Sequence, residues 1–308
     1  MFAVFLSHKG LKLSAVFPWK TGIVSFMAYP SMMKGEGDVC GYLRTLAEDA
    51  FFEGVEVCNL TDAQWNSVKP LLAEKTVGRG LQPDLLMGKL DINALEEEAR
   101  QKAVNYVIRE VDIAAKRGIQ TVALCSGPDP GVDKRGQAKE LLIDSLNLIC
   151  DKAARLNVTI LIEPFDRDYD KKLLIGPLDE AVDIVDNVRR RYENIGVLWD
   201  LSHAPMLNEA PEVLEKARDF LTHVHIGCAK RVGDKYVDSH PTFYTEGAVN
   251  TVNDVRTLLK TLYNIGYRRM VSFEVRPEER QTSEAAINCA KGVLVSAYQK
   301  MASEVLSK

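Results

Sequence analysis

Two kinds of segment are missing from this 308-residue sequence: a long uncharged apolar run and a signal-like N-terminus. No apolar run approaches the roughly 20 residues that a membrane helix needs. The first ten residues, MFAVFLSHKG, have no basic region ahead of the apolar one, and the apolar stretch is too short for a secretion signal. The sequence therefore predicts a soluble, cytoplasmic protein with no membrane partner.

An excess of positive charge and closely paired cysteines are also missing. The chain has 39 Lys and Arg against 43 Asp and Glu, a net charge of -4, and no run of basic residues. A nucleic-acid-binding surface is therefore not expected. The six cysteines show neither CxxC nor CxxxC spacing, and we predict that they are buried free thiols in a reducing compartment.

The sequence does contain short β-rich runs that alternate with longer segments of helical period. Gly or Asn precedes several runs, where a helix has to end in a left-handed C-cap: Gly54, Gly118, Asn157, Asn194 and Gly266. No GxGxxG follows the first run, which argues against a doubly wound nucleotide-binding sheet. Eight strand–helix units in this length predict a single (β/α)8 TIM barrel over residues 1–308. The predicted strands are residues 12–17, 55–60, 81–88, 121–127, 158–165, 195–201, 221–227 and 269–275.

The last four predicted strands each carry a metal-capable side chain close to their C-terminal end: Glu163, Asp200, His225 and Glu274. We call these four residues the quartet. In such a barrel the C-terminal ends of the strands meet at one face, so the quartet is expected to converge there. Three carboxylates and an imidazole in one mouth repel one another and are desolvated unless a cation is present. The oxygen-rich set predicts one divalent ion, Mn²⁺ first, with Mg²⁺, Co²⁺, Zn²⁺ and Fe²⁺ as alternatives.

Residues 118–277 resemble the xylose isomerase-like barrel superfamily of sugar isomerases and epimerases. Within it they most resemble the ketose 3-epimerase branch, typified by the tagatose and psicose epimerases. The resemblance rests on the quartet, on the segments DLSH and HIGCAKR that contain His203 and Arg231, and on TEGAVN at 245–250. It implies that the quartet binds one metal and that His203 and Arg231 hold substrate oxygens. One position departs from the branch, because Tyr169 stands where the epimerases have a Glu that contacts substrate.

The resemblance also implies a reaction, in which a proton is removed from a carbon next to a carbonyl and returned through an enediolate. Glu163 and Glu274 are the implied acid–base pair. Acid–base catalysis typically contributes about 10²- to 10⁴-fold, which is less than most enzymes supply. A metal that polarises the carbonyl is therefore expected as well. No Gly-rich phosphate loop is evident near predicted strands seven and eight, so an unphosphorylated sugar or cyclitol is the expected substrate. The resemblance implies a homodimer or homotetramer.

Other functions of the same scaffold are alternatives. A lyase or dehydratase acting on an inosose or an oxidised glycoside would use the same metal and the same proton abstraction, and Tyr169 favours it slightly. A sugar-binding barrel without catalysis is opposed by the intact quartet. A three-zinc endonuclease needs histidines on the early strands, and no His lies between His8 and His203. A two-metal xylose isomerase needs an Asp-rich cluster that does not follow WDLSHA.

Three residues near the predicted site have two interpretations each. His240 lies in the loop after the seventh predicted strand and is predicted to bind substrate as the loop closes, or else has no role. His223 is either a hydrogen-bonded core histidine or a partner of the quartet. Arg276 either clasps a substrate carboxylate or phosphate, or pairs with an acid such as Glu278.

Overall fold

The computed structural model describes residues 2–8 and 11–306, and its centre is a closed barrel of eight parallel strands. An antiparallel hairpin of β1 (Ala3–His8) and β2 (Leu11–Val16) precedes the barrel. Strand β12 pairs with both β9 and β3, which closes the barrel and confirms the predicted (β/α)8 fold. The remaining strands are β3 (Lys20–Val24), β4 (Gly54–Val57), β5 (Thr76–Gly80), β6 (Thr121–Cys125), β7 (Thr159–Glu163), β8 (Ile195–Asp200), β9 (Leu221–Gly227), the hairpin β10 (Lys230–Val232) and β11 (Lys235–Val237), and β12 (Met270–Glu274).

Helices surround the barrel and bury one apolar face each. Helix α5, for example, turns Val104, Val107 and Val111 inward at helical spacing. Capping boxes begin two of the helices, at Thr61 and Thr251, and satisfy backbone N–H groups of the first turn. The helices are α1 (Ser25–Ala28), α2 (Val39–Glu48), α3 (Asp62–Val68), α4 (Gln82–Gly88), α5 (Glu97–Lys116), α6 (Val132–Ala154), α7 (Leu178–Arg189), α8 (Ala204–Leu207), α9 (Val252–Asn264) and α10 (Ser283–Leu306).

Two of the eight predicted barrel strands are wrong. Residues 12–17 overlap strand β2, but β2 pairs with β1 outside the barrel, and the first barrel strand is β3. Residues 81–88 form helix α4, which has a proline in its first turn, and the third barrel strand is β5 just before it. Both true strands contain glycine, which has low strand propensity. In β3 the glycine is needed, because a Cβ at Gly22 would collide with Ser272 and Met270 of the neighbouring strand.

The predicted helix ends are correct at three of five positions. Gly118, Asn157 and Gly266 have positive φ angles after α5, α6 and α9, as left-handed C-caps require. Gly54 instead begins strand β4, where the side chain of Met270 lies against it. Asn194 donates from its side-chain amide to the carbonyls of Cys150 and Val158, and so joins α6 to the start of β7.

The structure bears on two sequence features, the lack of a long apolar run and the unpaired cysteines. Among residues 2–8 and 11–306, no helix is both long enough and apolar enough to span a lipid bilayer. Every cysteine is a free thiol, as predicted. Cys58, Cys125, Cys150 and Cys228 are buried, and Cys40 and Cys289 are half-buried.

Candidate metal and active site

The quartet converges at the C-terminal mouth of the barrel. Glu163, Asp200 and Glu274 end strands β7, β8 and β12, and His225 lies in β9. One donor atom from each residue can be chosen so that all four lie within 4.8 Å of one another. Side chains alternate along a strand, so a strand-end residue of the right parity points into the barrel. The four predicted ligands are thus adjacent and nearly or fully buried.

The polar atoms of the quartet are placed to bind a cation rather than to hydrogen-bond to one another. Three buried atoms, Glu163 Oε1, His225 Nδ1 and Glu274 Oε2, make no well-directed hydrogen bond to any part of the chain that the structure describes. His225 Nδ1 is nevertheless 2.5 Å from Glu274 Oε2 and 3.8 Å from Glu163 Oε1. Buried polar atoms are normally satisfied. A divalent ion would satisfy all three together, so the donor set fits the predicted metal.

The electrostatics of the two glutamates differ. Burial, followed by the nearby Glu274 carboxylate, raises the pKa of Glu163 to about 8. Burial acts in the same direction on Glu274, but the imidazoles of His240 and His225 outweigh it and lower the pKa of Glu274. One glutamate therefore favours the protonated form and the other the ionised form near neutral pH. Such a pair can hold and accept a proton.

Glu56, which the sequence analysis missed, lies beneath the quartet and connects two histidines. Its carboxylate oxygens are 2.8 Å from His223 Nε2 and 3.0 Å from His225 Nε2. Burial opposes ionisation of Glu56, yet the two imidazoles lower its pKa well below the usual range. A carboxylate bonded to one ring nitrogen fixes the tautomer so that the other nitrogen is free for a metal. Glu56 thus orients Nδ1 of His225 toward the quartet, and His223 is a partner of that arrangement. The signal in the sequence was a single acid inside the apolar strand segment GVEV.

Glu163 has a second neighbour that the sequence analysis missed. The side-chain amide of Gln82 donates to Glu163 Oε2 at 2.7 Å, while Oε1 makes no hydrogen bond. Gln82 is the first residue of α4, in the segment assigned to a strand from sequence. The amide occupies one carboxylate oxygen and leaves the other facing the remaining ligands.

Two predicted substrate-binding histidines lie beside the quartet. Both rings are buried and approach Oδ1 of Asp238, with Nε2 of His240 at 2.8 Å and Nε2 of His203 at 3.4 Å. The Nδ1 atom of His203 is 2.9 Å from the carbonyl oxygen of Pro164. Burial lowers the pKa of His240, but Glu274 and then Asp238 outweigh it and raise that pKa to about 9. Charged imidazoles at this position can donate hydrogen bonds to substrate oxygens.

Asp238 is a further residue that the sequence analysis missed, although it lies only two residues before His240. Its carboxylate is buried, and it also accepts an ion pair from Lys171 at 3.2 Å. A second group with metal-ligand geometry, Asp200, His203 and His240, lies beside Asp238. This group shares Asp200 with the quartet, so the two sets of donors are continuous.

The structure does not bring Arg231 into the site. Arg231 lies in the hairpin β10–β11, is exposed, and donates from Nε to the carbonyl oxygen of Gly233 at 3.1 Å. Its substrate-binding role therefore stays a prediction that requires the side chain to turn inward. Arg276 does line the cavity. Its expected partner Glu278 instead pairs with Lys230 at 2.9 Å, and within the described ranges Arg276 makes no ion pair.

A cavity of about 230 Å³ lies over the quartet and is open to a ligand. Glu163, His225, Glu274 and His240 lie on its polar side. The opposite side is apolar and comes from the loops after β3, β5 and β7, with Phe26, Met27, Met33, Leu86, Met87 and Phe165. An apolar pocket with a few convergent polar groups is typical of a small-molecule site.

Comparison with known proteins assigns the family. The model of the xylose isomerase-like TIM barrel family matches residues 45–291, and the chain belongs to that family. A search of curated protein sequences gave no match. The fold of this chain, closed barrel and mouth included, is thereby the one that the sequence resemblance implied.

Similar solved structures include two sugar epimerases and one zinc-bound protein. D-psicose 3-epimerase from Clostridium cellulolyticum H10, solved with D-tagatose, is 16% identical, with 92% of this chain and 98% of that chain covered and a TM-score of 0.66. The 3-keto-D-glucoside 4-epimerase YcjR from E. coli is 18% identical over 90% of this chain and 99% of that chain, with a TM-score of 0.65. The IOLI protein with a bound zinc atom is 18% identical over 92% and 99%, with a TM-score of 0.68.

Proposed function

We propose that this protein is a metal-dependent sugar epimerase or isomerase that moves a proton at a carbon next to a carbonyl group. One observation carries the proposal. Glu163 and Glu274 lie in a single buried mouth with Asp200 and His225, with one donor atom of each residue within 4.8 Å of the others. Sugar epimerases occur among the structures of the same fold.

In this mechanism the residues of the site have three roles: metal binding, proton transfer and hydrogen bonding to the substrate. Glu163 Oε1, Asp200, His225 Nδ1 and Glu274 would hold the divalent ion, which supplies polarisation of the carbonyl and compensation of negative charge when bound. One of the two glutamates removes the proton from the carbon, and the other returns a proton to the opposite face of the enediolate. His203 and His240 donate hydrogen bonds to the substrate oxygens. The apolar side of the cavity excludes water from the ionised intermediate.

Substitution of the two glutamates tests the proposal. Purified protein is loaded with Mn²⁺ and incubated with free ketoses and keto-glycosides, and product epimers are identified by NMR. Glu163→Gln and Glu274→Gln should each lower kcat by at least about 10³-fold, because each removes a proton-transfer group. Exposed Glu98 of α5, substituted as Glu98→Gln, is the matched control and should retain full activity. Normal turnover in either cavity variant would contradict the assignment.

A lyase or dehydratase that acts on an inosose or an oxidised glycoside is the second candidate. It would begin with the same proton abstraction and then expel water or an aglycone from the neighbouring carbon. The observation that favours it is Tyr169, which is partly exposed and packs edge-on against Tyr236 rather than contributing a carboxylate to the cavity. Release of water or aglycone, followed in the same NMR spectra, would replace the epimerase with this reaction.

A further inference from the structure

The cavity over the quartet adjoins a larger one on the same face of the barrel. This second cavity has a volume of about 450 Å³ and lies between the loops that follow β5, β6 and β7. The side chains of Leu86 and Lys171 line both cavities, so they form the boundary between them. The proposed reaction at the quartet makes no use of the second cavity.

The lining of the second cavity is both apolar and polar. Four leucines form its apolar part: Leu85, Leu86, Leu90 and Leu173. Its polar part includes Lys89, Asp91 and Ser126. Neither Lys89 nor Asp91 makes an ion pair to another described residue, and the Asp91 carboxylate accepts backbone N–H groups of its own loop and lies within electrostatic range of Arg100.

A sugar ring suits such a lining. Its C–H face packs on apolar side chains, while its hydroxyl groups donate to carboxylates and accept from ammonium groups. The backbone around the cavity is fixed. Asp91 Oδ1 accepts the N–H of Asn93 at 2.8 Å, and Ser126 Oγ accepts the N–H of Ile175 at 3.0 Å. A rigid site of this kind loses little entropy when a ligand binds.

We infer that the second cavity is a subsite for the second sugar ring of a glycoside, whose oxidised ring lies over the quartet. This inference rests on the proposed function and deepens it, because it makes the substrate a keto-disaccharide rather than a free ketose. The glycosidic bond passes Leu86 and Lys171. Asp91 and Lys89 bind hydroxyl groups of the second ring, and Leu90 and Leu173 contact its apolar face.

Two substitutions change the second cavity without touching the quartet. Leu90→Trp fills the space that the second ring needs, and Asp91→Asn removes the charge of the carboxylate while keeping an oxygen for the N–H of Asn93. Leu148→Trp is the matched control, because Leu148 lies on helix α6 and is 53% exposed. Thermal unfolding and Mn²⁺ titration of each variant verify that the fold and the quartet are intact, and Asp91→Asn decides the question if Leu90→Trp does not fold.

The kinetic test compares 3-keto-D-glucose with a 3-keto-disaccharide that carries the same oxidised ring. The Mn²⁺-loaded wild type should prefer the disaccharide in kcat/KM by about 10- to 100-fold, because the second ring adds apolar and polar contacts that the monosaccharide cannot make. Leu90→Trp should abolish that preference and leave the monosaccharide rate within about twofold, and Leu148→Trp should change neither. Equal kcat/KM for both substrates in the wild type would overturn the subsite.

Calorimetric binding separates failure of the subsite from failure of the proposed reaction. The unoxidised disaccharide should bind the wild type more tightly than glucose does, and Leu90→Trp should remove the difference. If the disaccharide binds tightly but no keto-sugar exchanges a proton or turns over, the proposed reaction is wrong and the subsite stands. If the monosaccharide reacts but the disaccharide gains nothing in binding or rate, the reaction stands and the subsite is wrong.

Discussion

At the scale of single residues, the most informative contacts connect the predicted ligands to groups that the sequence did not reveal. Strand-end polar residues could be predicted, because position and parity in a barrel decide where a side chain points. Glu56 and Asp238 could not, since His223 lies far from Glu56 in the chain, and His203 and Lys171 lie far from Asp238. Arg231 shows the reverse limit. Its spacing from His225 matched that of a substrate-binding arginine. The side chain's direction, however, is set by the backbone of the β10–β11 hairpin.

The contact between Glu56 and His225 predicts a specific loss. Glu56→Gln removes the negative charge that holds the His225 tautomer, so the affinity for Mn²⁺ should fall by about 10- to 100-fold, as for other residues that support metal ligands. Titration calorimetry of the metal-free protein measures this directly. Glu98→Gln, on the exposed side of α5, should bind Mn²⁺ as the wild type does. Unchanged affinity in Glu56→Gln would show that the carboxylate has no orienting role.

The buried titratable groups predict how stability depends on pH. Metal-free Glu163 keeps its proton up to about pH 8 in the folded chain, against an ordinary value of 4.5, and His240 keeps its proton to about 9 against 6.5. The folded state therefore binds more protons than the unfolded state across these intervals, and the free energy of unfolding falls as pH rises. Carboxyl groups with a lowered pKa affect the free energy of unfolding only at acidic pH, where it decreases as they become protonated. These groups are Glu56, Asp238 and Glu274.

The melting temperature of the metal-free protein should therefore fall between pH 6.5 and pH 9. Glu163 contributes to this decline up to about pH 8, and His240 contributes up to about pH 9. Excess Mn²⁺ should flatten this decline, because the ion stabilises the ionised quartet in place of protons. A melting temperature of the metal-free protein that rises over the interval would contradict the assigned protonation states.

At the scale of elements, six barrel strands and most helix ends followed from local pattern, whereas β3 and β5 did not. Strands β3 and β5 depend on neighbours for their conformation, since Gly22 is required by the side chains of β12. Hydrophobic periodicity and residue propensity depend only on the local sequence. They therefore do not predict a strand that is stabilised mainly by contacts with neighbouring elements. The hairpin β1–β2 has the opposite character: its local β pattern is strong, but it takes no place in the barrel.

The helix ends give a prediction with an internal control. Gly118 ends α5 with φ at 78°, and a methyl group added there would meet open space. Gly118→Ala therefore meets backbone strain alone and should lower the free energy of unfolding by about 1 kcal/mol. Gly136 lies inside α6, also with open space. Gly136→Ala should raise the free energy of unfolding by about 0.5 to 1 kcal/mol. Urea denaturation of both variants measures the contrast, and shifts of the same sign would refute it.

At the scale of the whole molecule, barrel closure converts residues spread from Glu56 to Glu274 into one mouth with a metal-fitting centre and two adjoining cavities. The family resemblance further predicts a homodimer or homotetramer. Sedimentation equilibrium measures the molecular mass against 34.3 kDa for one chain. A mass equal to that of one chain at all concentrations would remove this prediction without affecting the site.

The central claim is that the quartet supports proton abstraction next to a carbonyl, and proton exchange with solvent tests it most directly. The Mn²⁺-loaded protein is incubated in D₂O with ketoses, keto-glycosides and inososes, and each carbon-bound proton beside a carbonyl is followed by NMR. We predict that deuterium enters one such position in at least one substrate, and that Glu163→Gln stops the exchange. Metal-loaded, folded protein that exchanges no proton in any of these substrates would contradict the claim.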